Sequence, residues 1–330
     1  MTTIRDVAQA ADVSVATVSH VINETRFVSD ELRKRVLTTM DRLDYQPNAL
    51  ARSLRHKRTH TQGMILPDSA NPFFAEIARS IERASFAQGY STILCNSDGD
   101  LAKELLYTNV LLEKQVDGIV FVAVGMSAAH IQAILNRDKP VVVIDRDLPG
   151  VEVDTVLCDH QSGSRAAVEH LIVRGHRRIG CITGPSDVTP SAGRAEGYRS
   201  ALAAHGLPID EALIQRGDFQ YAGGAEATAT LLSLPEPPTA IFACNDMMAI
   251  GAISAATEMG RHVPVDLGIV GFDDVALASF SNPPLTTVCQ PKQQMGEVAI
   301  DLLLARIKVR IAPPQRRVLP TQLIVRRSSA

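Results

Sequence analysis

The sequence has 330 residues, of which 45% are hydrophobic and 21% charged, with a formal net charge of −3. This length suits two or three domains, and the composition is that of an ordinary globular protein. No apolar run approaches the roughly 18 residues of a membrane span, and the N-terminus lacks the pattern of a signal peptide. We therefore expect a cytoplasmic protein and no membrane partner.

The charge is divided unequally along the chain. Residues 1–60 hold ten Lys and Arg against seven Asp and Glu, a net of +3, whereas the remainder carries −6. This asymmetry indicates that only the N-terminal segment contacts the phosphate groups of a nucleic acid. The five cysteines are scattered without a C-x-x-C pair, so we expect reduced, mostly buried thiols and neither a metal site nor a cofactor.

The first 46 residues have the pattern of three short helices. Thr3 followed by Asp6 resembles a capping box at the start of the first helix. A turn follows in which Asp12 tolerates a left-handed backbone, and Ser14 can cap the second helix. Two helices joined by a short turn near an N-terminus predict a helix-turn-helix.

The second of these helices would enter the major groove of DNA. There His20 can donate to a guanine acceptor, and Val15 or Ala16 can contact a thymine methyl group. The alternative is a structural three-helix module with an exposed polar face. The candidate DNA-contacting residues of this segment are Thr3, Ser14, Val15, Ala16, Thr17, Ser19, His20, Asn23 and Arg26.

Residues 47–60 form a short, basic linker that can become helical. A helix of about eight residues is too short to be stable alone in water, so we expect residues 47–57 to be weakly ordered without DNA and helical with it. A plain basic linker is the alternative.

From residue 61 onward, apolar runs alternate with amphipathic helical stretches. Continuous apolar strands separated by helices are typical of parallel sheets buried on both faces. More than 250 residues of such units are enough for two doubly wound α/β lobes. Phe86, Tyr90 and Met295 lie among apolar residues at helical spacing and are expected to pack internally. The predicted strands are residues 63–66, 91–95, 118–124, 141–144, 179–182, 240–243 and 267–272.

Several motifs identify a family. The segment Val-Ser-Val-Ala-Thr-Val-Ser-His at residues 13–20, the motif Asn71-Pro72-Phe73-Phe74 and the motif Gly271-Phe272-Asp273-Asp274 resemble the LacI/GalR family of transcription regulators, over essentially the whole chain. The resemblance implies an all-α helix-turn-helix head and an α/β body with two doubly wound parallel-sheet lobes of periplasmic-binding-protein type. The implied divisions are a DNA-binding domain (1–46), a hinge helix or linker (47–60) and two lobes (about 61–160 with 291–320, and about 161–290 with 321–330).

The resemblance also implies a role for the linker. Asn48, Ala51, Leu54 and Arg55 would contact DNA, with Leu54 acting as a wedge that opens a central base step in the minor groove.

Ligands in doubly wound folds lie at the carboxyl ends of strands, so polar residues after each run are candidates. Carboxylates and guanidinium groups bind vicinal hydroxyls, and aromatic faces cover the C–H surface of a sugar ring. Each aspartate can instead cap a helix, and each phenylalanine can belong to the core. The candidate ligand-binding residues are Phe73, Phe74, Asp145, Arg146, Arg194, Phe219, Asn245, Asp273 and Gln290.

This set looks like the ligand shell of periplasmic ribose-binding proteins, which implies ribose or another sugar as the effector. In purine-responsive regulators of the family an aromatic residue follows the aspartate, where this chain has Arg146, so a purine is disfavoured.

The sequence predicts no catalytic residues. It lacks the phosphate-binding glycine loops, the nucleophile elbow and the H-E-x-x-H zinc motif. A sugar-binding transport protein would share the two lobes but would need a secretion signal and would lack the head. The predicted function is a repressor, acting as a homodimer on a pseudo-palindromic double-stranded operator and controlled by a small ligand. A purine-responsive corepressor-type regulator is the alternative.

Overall fold

A computed structural model describes residues 2–23, 26–46, 58–122, 128–148, 150–185, 189–309 and 313–329. The chain divides into two compact units, Met1–Thr59 and His60–Ala330. Residues 47–57 lie outside the described residues, and with them lie Asn48, Ala51, Leu54 and Arg55.

Within the described residues of the first unit, three helices surround a small apolar core. Thr3 and Asp6 form the predicted capping box, since each side chain bonds the other residue's backbone N–H. Asp12 has φ 51°, in the left-handed region, and the Ser14 hydroxyl accepts from the Thr17 N–H at 3.0 Å. The helix-turn-helix prediction is therefore confirmed at the level of its caps and turn. The helices are α1 (Ile4–Ala10), α2 (Val15–Asn23) and α3 (Asp30–Arg42), and the buried core includes Val7, Val18, Val21 and Val36.

The described part of the second unit forms two six-stranded sheets, one in each lobe. The first lobe has the strand order β2-β1-β3-β4-β5-β11, and the second lobe has the equivalent order β7-β6-β8-β9-β10-β12. The strands are β1 (Thr61–Leu66), β2 (Ser91–Asn96), β3 (Ile119–Val122), β4 (Val141–Ile144), β5 (Asp154–Cys158), β6 (Ile179–Thr183), β7 (Ile214–Arg216), β8 (Ala240–Ala243), β9 (Gly268–Asp273), β10 (Thr286–Cys289), β11 (Arg316–Leu319) and β12 (Gln322–Ile324).

Helices pack on both sheets, as a doubly wound fold requires. Buried apolar clusters lie on both faces of the first lobe's sheet, and one large cluster forms the core of the second lobe. The helices are α4 (Pro72–Ala87), α5 (Leu101–Glu113), α6 (Ala128–Leu135), α7 (His160–Val173), α8 (Thr189–Ala204), α9 (Tyr221–Leu232), α10 (Asp246–Glu258) and α11 (Lys292–Lys308), with 3₁₀ turns at Glu211–Leu213 and Ala276–Ser279. Among the described residues, no helix combines the length and the apolar character needed to cross a bilayer.

Among the described residues, three segments cross between the lobes. Asp159 joins β5 to α7, residues 290–291 join β10 to α11, and residues 320–321 join β11 to β12. Residues that follow strands of both lobes line one cavity, so the carboxyl ends of the parallel strands in the two sheets face each other. Ligands bind at that edge in folds of this class.

The structure corrects two expectations about the body. Strand β12 runs antiparallel to β10, so the second sheet is not wholly parallel. Phe86 is expected to pack internally, but 77% of its surface is exposed, because it lies on the exposed face of α4 together with Glu82 and Arg83. Tyr90 and Met295 are buried as predicted.

Candidate functional site

A cavity of about 400 Å³ lies between the two lobes. Ligand pockets for small molecules typically measure about 300–1,000 Å³, so this volume suits a monosaccharide or a molecule of similar size. The described lining residues are Pro67, Asp68, Asn71, Phe73, Phe74, Asp98, Gly99 and Asp145 from the first lobe, and Pro185, Pro190, Arg194, Asp218, Phe219, Gln220, Asn245 and Asp273 from the second.

Aromatic rings line the cavity from both lobes. Phe73 and Phe74 open α4, where Pro72 stands at the first helical position and the Asn71 side chain accepts from the Phe73 N–H at 3.0 Å. The two rings meet edge to face with centroids 5.3 Å apart. Phe219 lies in the loop between β7 and α9 of the other lobe.

Phe219 is held in an uncommon backbone conformation. Its φ of 67° lies in the left-handed region, which costs an ordinary residue free energy and persists only where neighbours enforce it. The Asn245 side-chain amide donates to the Phe219 carbonyl at 2.9 Å, and the ring lies against Gly184, where a Cβ would overlap it. Because Gly184 has no side chain, the Phe219 ring can occupy the space beside it.

We expect Gly184→Ala to weaken ligand binding about tenfold while the protein still folds. The added methyl group would push the Phe219 ring from its place, and overpacking of this kind costs about 1–3 kcal/mol. Isothermal calorimetry would measure the change. Phe219→Ala is the comparator, because the double variant should bind no worse than Phe219→Ala alone. Additive losses would show that Gly184 acts through something other than this ring.

Arg194 makes several polar contacts at the wall of the cavity. It is 3% exposed and donates through Nη1 to the Cys244 carbonyl and through Nε to His160 Nδ1 at 3.4 Å. Its Nη2 lies 3.4 Å from Asp273 Oδ1, and its guanidinium group stacks 4.0 Å from the centre of the Phe272 ring. These contacts fix the orientation of the positive charge before any ligand arrives.

Asp273 faces Arg194 from the end of β9. Gln290 donates through Nε2 to its Oδ1 at 2.7 Å, and the ammonium group of Lys292 donates to its main-chain carbonyl at 2.6 Å. Burial raises the pKa of the Asp273 carboxyl to about 6, because the neighbouring Arg194 and Gln290 offset only part of the desolvation of its charge. The carboxylate is consequently ionised at neutral pH but loses its charge in mildly acidic solution.

Seven of the nine candidate ligand-binding residues line this cavity, and two do not. Arg146 and Gln290 are buried outside the lining, although Gln290 supports Asp273 from behind. Asn245 lines the cavity, yet its oxygen caps α10 by accepting from the Met248 N–H at 2.9 Å. Both the amide nitrogen and the amide oxygen of Asn245 are therefore bonded to the protein's own backbone.

Sequence reasoning missed several residues at this site. Asp98 follows β2 and Asp218 follows β7. The rule that polar residues after a strand are candidates, which we call the strand-end rule, found Asp145 and could have found these two aspartates. Gln220 reaches across the mouth of the cavity, with Nε2 3.5 Å from Asp68 Oδ2. His160 was also missed, because it begins a helix after a crossover and no local pattern marks it.

The head unit presents the predicted reading residues at its surface. Ser14, Val15 and Ala16 are exposed at the start of α2, and Thr17, Ser19 and His20 are partly exposed. The Asn23 amide donates to the Ser19 carbonyl at 2.8 Å, which occupies one of its donors within the helix. Thr3 and Arg26 are exposed.

Comparison with known proteins accounts for both units. Residues 3–48 match the family model of bacterial regulatory proteins of the lacI family, and residues 168–329 match a periplasmic binding protein-like domain. The ribose operon repressor of Escherichia coli (strain K12) is 42% identical over 332 residues, covering 100% of both chains. The HTH-type transcriptional repressor PurR of Aliivibrio fischeri (strain MJ11) is 40% identical over 333 residues, covering 100% of this chain and 98% of its own.

Solved structures resemble the chain over the same extent. A lac repressor dimer bound to operator and the anti-inducer ONPF is 28% identical with a TM-score of 0.89, covering 99% of both chains. A LacI family transcriptional regulator from Enterococcus faecium with bound ribose is 31% identical with a TM-score of 0.76, covering 82% of this chain and 98% of its own. The chain belongs to the LacI family of bacterial regulatory proteins, and it is a transcription regulator rather than an enzyme.

Proposed function

We propose that the chain is a transcriptional repressor whose affinity for operator DNA is controlled by D-ribose or a close pentose bound in the cavity between the lobes. Support comes from the E. coli relative named a ribose operon repressor and from the E. faecium regulator whose structure contains ribose. A regulator that binds operator DNA acts where the chromosome lies, so we propose that the protein is cytoplasmic.

One observation carries the choice of a neutral sugar. Five aspartates line the cavity (Asp68, Asp98, Asp145, Asp218 and Asp273), and Arg194 is the only cation among the described lining residues. Carboxylates accept hydrogen bonds from hydroxyl groups, so they favour a molecule with many hydroxyls. A phosphorylated sugar would bring a negative charge among them and is disfavoured. The cavity therefore suits a neutral polyol.

A purine is the second candidate. It is favoured by the PurR relatives and by the three phenylalanine rings of the cavity, since aromatic faces also stack on flat bases. Because Arg146 does not line the cavity, its presence in place of an aromatic residue does not by itself exclude a purine.

Calorimetry distinguishes these candidates directly. We expect D-ribose to release or absorb heat on binding, with weaker binding of hexoses and none of ribose 5-phosphate. Hypoxanthine is the purine probe. Micromolar binding of hypoxanthine together with no heat from millimolar ribose would overturn the sugar proposal and favour a purine-responsive regulator instead.

We further propose that the ligand releases the operator. If ligand binding lowers operator affinity by some factor, thermodynamic linkage requires the operator to lower ligand affinity by the same factor. Titrating ribose into the protein with and without operator DNA measures both changes. An operator affinity that rises with ribose would reverse the direction of control.

We propose a homodimer that binds a pseudo-palindromic operator, because one helix-turn-helix reads only a half-site. The lac repressor relative is a dimer on its operator. In the first lobe, exposed apolar side chains cover one face of α5 and continue to the edge strand β2. We call this the leucine face, and it consists of Ile93, Leu94, Leu101, Leu105, Leu106 and Val110. Contiguous exposed apolar surface is typical of protein–protein contacts.

We expect His20→Ala to reduce affinity for the specific operator by about 1–3 kcal/mol and to relax preference at one base pair in each half-site. The reason is that an imidazole donor in the major groove discriminates between base edges. Competition binding against operators changed at single positions would measure it.

Arg26→Ala is the comparator for this change. As an exposed cation in the head, Arg26 should contact phosphate, so its loss should weaken binding to all sequences alike and flatten the salt dependence. A uniform loss from His20→Ala as well would place His20 among the phosphate contacts.

A further inference from the structure

His160 is a buried histidine directly behind the cavity. It is the first residue of α7, immediately after the crossover from β5, and is 8% exposed. Its ring packs with its centre 5.7 Å from that of Phe272, and it is not among the lining residues. A polar ring in such a place acts on a ligand only through the residues that it contacts.

Those residues belong to different lobes. Arg194, on α8 of the second lobe, donates through Nε to His160 Nδ1 at 3.4 Å. Asp145, which follows β4 of the first lobe, has its Oδ1 3.2 Å from His160 Nε2, although the two atoms are not aligned for a full hydrogen bond. Both Arg194 and Asp145 line the cavity.

These contacts determine where the imidazole proton lies. A guanidinium group has only donors, so Nδ1 must accept from Arg194 and must carry no proton. The proton of the neutral ring is then on Nε2, where it faces the Asp145 carboxylate, an acceptor. In the opposite neutral tautomer, the N–H at Nδ1 would point at the N–H of Arg194 Nε. The lone pair of Nε2 would then face the negatively charged Asp145 carboxylate.

The charged groups around the ring favour this neutral form. Burial, followed by the charge of Arg194, lowers the pKa of His160, and the carboxylates of Asp145 and Asp159 offset only part of that effect. Phe272 and Gly193, which also pack against it, carry no charge.

We propose that His160 is a positioning residue that joins Asp145 of one lobe to Arg194 of the other and so sets the spacing at which the two lobes hold the ligand. The contacts run from Asp145 of the first lobe through His160 and Arg194 to Asp273 of the second lobe, so they join the two lobes. The inference rests on the proposed function, since it assumes that the ligand occupies this cavity.

Substitutions can separate the two halves of this link. The Asn side chain places its oxygen near the position of Nδ1, so His160→Asn keeps an acceptor for Arg194 and loses the group facing Asp145. His160→Gln can present a donor to Asp145 and loses the Nδ1 acceptor. His160→Leu keeps the bulk and removes both. We expect ribose affinity, measured by calorimetry, to fall about 10- to 100-fold in His160→Leu and less in the two amide variants.

A pH profile provides a readout that packing alone would not change. As the pH falls through the lowered pKa of His160, protonation of Nδ1 would remove the acceptor for Arg194 and add a second positive charge, so ribose affinity should fall with falling pH. Asp273 also loses its charge as the pH falls, with a pKa of about 6, but does so in every variant. The wild-type profile should therefore be steeper than that of His160→Asn, and equal slopes would overturn the proposal.

The tautomer can be measured without any ligand. Long-range ¹H–¹⁵N spectra of the full-length protein at neutral pH should show His160 protonated on Nε2 only, with the signal assigned by its loss in His160→Asn. A proton on Nδ1 would overturn the proposal, as would full ribose affinity in His160→Leu. If the wild type binds neither ribose nor hypoxanthine, the proposed function fails, and the tautomer still decides whether the link between the lobes exists.

Discussion

Arg194→Ala is expected to abolish the ligand response, lowering ribose affinity by at least about 100-fold. The arginine makes several contacts that together hold the positive charge at the cavity wall. Its removal would take away the ion-pair partner of the buried Asp273 carboxylate, and loss of one partner of a buried pair costs about 3–5 kcal/mol. The pKa of Asp273 would rise further, so the carboxyl would lose its negative charge more readily and accept only weaker, neutral hydrogen bonds from a ligand hydroxyl.

The control for this change lies on the same helix. Arg199 is also on α8, and its ion pair with Glu211 is largely exposed, so Arg199→Ala should leave ribose affinity and stability nearly unchanged. Operator binding without ligand should persist in both variants, because the helix-turn-helix belongs to the other unit. Should Arg194→Ala prove too unstable, Arg194→Gln retains bulk and donors. Ribose release of the operator by a folded Arg194→Gln variant, at wild-type concentrations, would contradict the role of the charge.

The sequence predicts the fold best where strands are apolar throughout. Strands β3, β4 and β8 are buried at every position, and their uninterrupted runs of Val, Ile, Ala and Phe mark them clearly. Strand β11 (Arg-Arg-Val-Leu) has three exposed residues, and β12 has three residues in all, so neither shows a pattern that distinguishes it from a loop. Such strands are fixed by pairing with a neighbour distant in sequence rather than by their own composition.

The candidate site was predictable in its position but not in its details. The strand-end rule finds Asp145 and Asp273, because carboxyl ends of parallel strands meet at one edge. It cannot tell that Asp145 lines the cavity and Arg146 does not, since consecutive side chains after a strand point to different sides. His160 could not be found from its neighbours in sequence, because its partners are 15 and 34 residues away and meet it only through the folded crossover.

Leu106→Asp is expected to convert the dimer into a monomer and to reduce operator affinity by about 10²- to 10⁴-fold. Leu106 is 60% exposed, the largest exposed fraction among the six side chains of the leucine face. Burial of this face against a second copy would remove apolar area from solvent, and a carboxylate there would have to lose its hydration in the interface. The loss of DNA affinity follows because two linked heads bind two half-sites with a high effective concentration, which a monomer lacks.

Sedimentation velocity at micromolar concentration would measure the loss of the dimer, and a binding assay on the same sample would measure the loss of operator affinity. Calorimetry should show that the monomer keeps the ribose affinity of the wild type. Val265→Asp is the matched control, because Val265 is 85% exposed in a turn of the second lobe, apart from the leucine face, and its substitution should change neither quantity. A Leu106→Asp protein that remains dimeric would move the interface to another surface. A wild type that sediments as a monomer, with and without operator, would remove the dimer proposal and leave the leucine face to another partner.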